Sequence, residues 1–147
     1  MSRALLTRIE RLRALRERRR DEAVEAMGRA LRLLESARQA ESAAFTSWSG
    51  CAEEAVALDQ RRAWDFELGR ARLRSLAQVL RRTRDERHAA QLAYRQRRLA
   101  VLAAERELQR LDLWEHDVSE RIGTEQARQE RRETDELAAR CAAGTRT

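Results

Sequence analysis

The chain has no proline, and between Leu73 and Ile122 it has no glycine either. Over that stretch apolar residues recur in steps of three and four. On one fixed heptad the repeat positions are Leu73, Leu76, Leu80, Thr83, Arg87, Ala90, Tyr94, Arg97, Val101, Ala104, Leu108, Leu111, Glu115, Val118 and Ile122, and eleven of these fifteen are apolar. Such a pattern is what a long helix packed along one seam requires. With charge over most of its remaining surface, a helix of this length cannot stand alone in water. The rest of the chain must supply the partner stripe.

The remaining composition agrees with that reading. Ala, Glu, Leu and Arg supply 94 of the 147 residues, the signature of coiled coils and long helices. Six aromatic residues and 38% charged residues could not fill a many-layered interior, whereas a two-helix seam needs far less apolar volume. One all-α domain is expected, a long antiparallel two-helix coiled-coil hairpin. Its first helix is expected over about 3–60, its tip over about 60–70, its second helix over about 70–140 and a disordered tail over about 142–147.

The first helix offers the seam Leu5, Ile9, Leu12, Arg16, Arg19, Ala23, Ala26, Ala30, Leu33, Ala37, Ala40, Ala44, Ser47, Cys51, Glu54 and Leu58. Leu6, Val24, Met27, Leu31, Leu34, Phe45 and Trp48 flank it. Small alanines here match the bulkier Leu108, Val101 and Tyr94 of the second helix. Gly50 and Gly69 are the candidate turns. A turn at Gly50 would leave Leu108, Leu111, Val118 and Ile122 without partners. A turn between Arg61 and Gly69 instead sets Ile9 near Val118, Leu33 near Tyr94 and Cys51 near Leu76, so Gly50 is read as a glycine inside helix one. Beyond Ile122 the repeat fades. Gly123 and Thr124 interrupt it, and Glu125 to Glu136 holds a single apolar residue, Ala127.

No catalytic constellation accompanies this framework. His88 and His116 are the only histidines, and no glycine-rich loop could cradle a phosphate. Glu115, His116 and Asp117 are consecutive, so on a helix they point in different directions and cannot converge on one ion. Cys51 and Cys141 are too few and too far apart for a paired-cysteine metal site or a disulfide framework. No cofactor, small-molecule substrate or enzymatic activity is expected. No apolar run approaches a membrane span, and the first residues lack a secretory signal, so a cytoplasmic protein is expected.

All 31 basic residues are arginine, and the net charge is +6. That charge has two readings, a solvated Arg/Glu surface or a polyanion partner. The 25 acidic residues interspersed among the arginines, and aromatics that do not alternate with basic residues, favour the first. Arg16 and Arg19 fall on the first seam, where they either snorkel to water or make a weakly packed end that a partner grips. Phe45, Trp48, Trp64 and Phe66 gather with Leu58 and Leu68 about the expected tip. They either close the seam there or offer an apolar anchor to another protein.

The opening from Leu6 to Glu17, the alanine-rich helix, the stretch Phe45-Thr46-Ser47-Trp48, the stretch Leu58-Asp59-Gln60-Arg61 and the closing run from Arg128 to Ala138 together resemble the YscO/HrpO-type stalk proteins of bacterial type III secretion systems and their flagellar relative FliJ. Leu137 stands where FliJ-like endings often have an aromatic residue. The resemblance spans most of the chain. It implies a virulence-associated central stalk whose termini enter a hexameric secretion ATPase. It further implies that the hairpin reaches the cytoplasmic ring of the export gate and that export chaperones are contacted, with the membrane touched only through the apparatus. Arg8, Arg11, Arg16, Arg19, Arg131, Arg132, Asp135 and Glu136 would then face the ATPase. Phe45, Trp48, Leu58, Trp64, Phe66 and Leu68 would face the gate. Two other readings stand beside this one, a basic coiled coil associated with nucleic acid and a generic self-associating scaffold.

Overall fold

The computed structural model describes the backbone of residues 2–57 and 63–144 and the side chains of 4–57 and 66–143. Every described residue is helical. Two helices, α1 over Ser2–Ala57 and α2 over Ala63–Gly144, form an all-α antiparallel hairpin. Neither helix is interrupted, because no proline removes a backbone donor and no described glycine takes a positive φ. Helix is already formed at Ala63, inside the span expected to make the tip, and residues 58–62 lie outside the described residues. The tail expected to be disordered from Ala142 is helical through Gly144, while 145–147 lie outside the described residues. Gly123 and Thr124 do not break α2. Thr124 instead donates its hydroxyl to the carbonyl of Arg121 at 2.9 Å.

The contacts divide into two compact units, one of residues 20–103 and one of residues 1–19 with 104–147. In the first, Glu41 lies 2.5 Å from Arg87 and 3.4 Å from Arg84, and Glu54 lies 4.0 Å from Arg72. These pairs hold the register within two residues of the alignment of Cys51 with Leu76. In the second, Arg13 pairs with Asp112 at 2.6 Å and with Glu115, again within two residues of the alignment of Ile9 with Val118.

The α2 seam follows the sequence repeat. Each expected position from Leu73 to Ile122 is buried or half-buried except Arg97, which is exposed. The α1 seam does not. Ile9, Leu12, Arg16, Ala23, Ala26, Ala30, Ala37, Ala44 and Cys51 are buried or half-buried as expected, but most of the other inside positions are Leu6, Arg13, Arg20, Met27, Leu34, Glu41, Trp48 and Ala55. Leu5, Arg19, Leu33, Ala40, Ser47 and Glu54, expected at the interface, are exposed. Leu33 is 67% exposed and Leu34 2%. The physical reason is that the alanine ladder is flanked on both sides. The side carrying Leu34, Met27 and Trp48 removes more apolar surface from water than the side carrying Leu33, Ala40 and Ser47. The small core residues Ala30, Ala44 and Cys51 lie among the buried positions, with Leu80 and Val101 of α2 in the same unit.

Candidate functional site

The half-buried charges are the first feature that needs explaining. Glu41 and Arg87 sit within the seam, their side chains 22% and 25% exposed. Taking charge from water is costly unless it is paired, and Glu41 is paired twice, with Arg84 and Arg87. Arg87 Nη1 also donates to Gln91 Oε1 at 3.1 Å. Its Nε, buried and 2.5 Å from Glu41 Oε2, has a charge partner without hydrogen-bond geometry. The other unit repeats the motif with reversed sign, Arg13 between Asp112 and Glu115. Close by, Arg16 donates to the carbonyl of Glu107 at 2.7 Å. Arg16 is therefore held by the hairpin itself, and Arg19 is exposed rather than on the seam.

The remaining charged candidates are all on open surface. Arg8 and Arg11 are exposed on α1. Arg131, Arg132, Asp135 and Glu136 are exposed on the last turns of α2, within an unbroken exposed run from Gly123 to Ala143. With Arg13 beside Glu115, the described start of α1 falls near residue 125 of α2, and the described residues of this run are all exposed. Arg131 and Arg132 stand on the order of 20 Å along the helix from the level of Arg8, at 1.5 Å per residue. These groups occupy one unit but do not converge on one spot.

The aromatic candidates separate as well. The Phe45 and Trp48 rings are 6.2 Å apart, Trp48 half-buried in the seam and Phe45 48% exposed. Phe66 is 44% exposed, with the guanidinium of Arg70 5.6 Å from its ring centre, and Leu68 is 72% exposed. The Glu54–Arg72 pair puts Phe66 about twelve residues, or roughly 18 Å, from the level of Trp48. Among the described residues, the members of the expected cluster thus stand in two groups. Leu58 and the side chain of Trp64 lie outside the described residues.

Among the described residues no three His, Cys, Asp or Glu side chains are grouped as a metal would need. Cys51 is buried and Cys141 exposed. No described helix is long and apolar enough to cross a membrane. Sequence reasoning missed Glu41 and Arg13 as interface residues. The available signal was an acidic residue four heptads from a basic one on α1, mirrored by a basic pair and an acidic pair four heptads apart on α2. No known family model, curated protein or solved structure matches the chain.

Proposed function

We propose that this chain is a non-enzymatic stalk or adaptor of a bacterial type III secretion system, coupling a hexameric secretion ATPase to the export gate and contacting export chaperones at the cytoplasmic face of the apparatus. The observation that carries the reading is the bare stretch of α2. From Gly123 to Ala143 it is helical and exposed at every residue, and it continues directly from a packed antiparallel pair. A helix of about twenty residues with no apolar stripe gains almost nothing from its own chain and is marginal in water. An arrangement in which both faces contact a surrounding ring uses such a segment fully. Its interspersed Arg128, Arg131, Arg132, Glu133, Asp135 and Glu136 suit charged contacts on several sides at once. Phe66 and Leu68, exposed at the opposite end of α2, supply apolar anchors for the gate.

The test uses the full chain against a purified type III secretion ATPase hexamer and an export-gate cytoplasmic domain. Binding to both is expected. Arg131→Glu with Arg132→Glu is expected to weaken the ATPase complex at least about tenfold and leave gate binding intact, and Phe66→Ala with Leu68→Ala is expected to do the reverse. Binding to neither, with nucleic acid co-purifying and released by salt, would overturn the proposal.

A further inference from the structure

We infer that the unit of residues 20–103 carries a docking edge for a third helix, an acidic amphipathic helix from a partner protein. Two rows of side chains meet along one side of the seam. On α1 the residues one place beyond the seam, Val24, Leu31 and Phe45, are 42%, 36% and 48% exposed, and Phe45 rests near the half-buried Trp48. They are large and apolar, and α2 does not cover them. The ion pair of Glu41 with Arg84 shows which face of α2 borders this row, and the pair of Glu54 with Arg72 marks the opposite side. On that bordering face the heptad places Arg81, Arg95 and Arg98 beside the apolar row, with Arg74 about one heptad past Phe45. All four are exposed, and none has an ion pair among the described residues. Asp85 and Glu86 fall on other faces of α2, so the row from Arg70 to Leu102 contains no acid.

The repeat identifies the shape of the occupant. Val24, Leu31 and Phe45 keep multiples of seven residues, as do Arg74, Arg81 and Arg95. Only a ligand with the same repeat can engage both rows over three heptads, and an α-helix has it. The charge identifies its chemistry. Unpaired arginines beside an apolar row favour a helix with Leu-type anchors and glutamate or aspartate on the flank toward α2. Arg38, which interrupts the apolar row, calls for a further acid at that heptad. Asp21 and Glu35, which border the row on its outer side, repel a uniformly anionic ligand. A nucleic acid would leave Val24 and Leu31 unused. A second copy, carrying the same net charge of +6, would set one row of arginines against another. The inference stands apart from what the termini bind.

The test uses the full chain with two synthetic helical peptides of about four heptads. Both carry leucine along the seam, one with glutamate on one flank and the other with lysine there. Fluorescence anisotropy is expected to show the glutamate peptide binding and the lysine peptide not. Arg81→Glu with Arg95→Glu is expected to weaken binding at least about tenfold, as is Leu31→Asn with Phe45→Asn, each with unchanged helical circular dichroism. Arg82→Glu, on another face of α2, is expected to leave affinity unchanged. Equal binding of the two peptides, or insensitivity to the Arg81 and Arg95 reversal, overturns the inference. So does self-association that the Leu31 and Phe45 variant abolishes, or duplex DNA binding more tightly than the glutamate peptide.

Discussion

At the scale of single residues, adjacent positions in α1 have opposite fates, and stability measurements can read the difference. Leu34 is 2% exposed and its neighbour Leu33 67%. Leu34→Ala is expected to cost about 2–5 kcal/mol in chemical denaturation and Leu33→Ala less than about 0.5 kcal/mol. Equal losses would mean that the seam lies midway between them. Glu41→Ala leaves Arg84 and Arg87 without their shared partner, and a cost of about 1–3 kcal/mol is expected. A double-mutant cycle with Arg87→Ala should recover part of that loss, because the two sites share one interaction. Gly50 sits inside α1 with nothing within 4 Å of where a Cβ would project. Gly50→Ala should therefore stabilise the chain by about 1 kcal/mol, seen as a raised Tm. The sequence made Gly50 readable as helical because a turn there would orphan the last apolar residues of α2. It did not reveal Glu41 as an interface residue, since a charged side chain on a coiled-coil seam looks like a phase error until its partners are in place.

At the scale of elements, α2 was legible almost throughout and α1 only in part. Bulky Leu and Val residues on α2 stand out against polar neighbours, so one phase of the heptad fits. On α1 the constant feature is alanine, which occurs off the seam as well as on it, and leucines flank the ladder on both sides. Packing against α2 breaks that tie. The charged layers also help to fix orientation. Arg13 and Glu41 are four heptads apart on α1, and their partners on α2 are spaced equally with the signs exchanged. A parallel alignment that brought Arg13 to Arg84 would also bring Glu41 to Asp112, setting like charge against like at both layers. The end of α2 behaves differently. Because Gly123 to Ala143 is exposed throughout, deleting residues 125–147 is expected to change unfolding free energy by less than about 0.5 kcal/mol. The same deletion is expected to abolish ATPase binding. A large loss of stability on truncation would show that the segment packs on its own chain.

At the scale of the whole molecule, the fold class follows from absence of proline, the seven-heptad repeat and the scarcity of aromatic residues. The function does not follow from these. Any Arg/Glu/Ala coiled coil shares them, and the residues that would distinguish a stalk are surface groups whose meaning depends on partners. The two aromatic groups illustrate the difficulty. They lie near one another in the sequence's expected tip, yet the register set by Glu54 and Arg72 separates Trp48 from Phe66. In the proposed function, one chain engages an ATPase ring and an export gate together, through different residues. Sedimentation velocity of the full chain mixed with a secretion ATPase hexamer and the gate cytoplasmic domain tests it directly. A single ternary species, larger than either binary complex and lost on truncation at residue 125, is the expected result. Two binary complexes that compete for the chain, or none, would contradict the account.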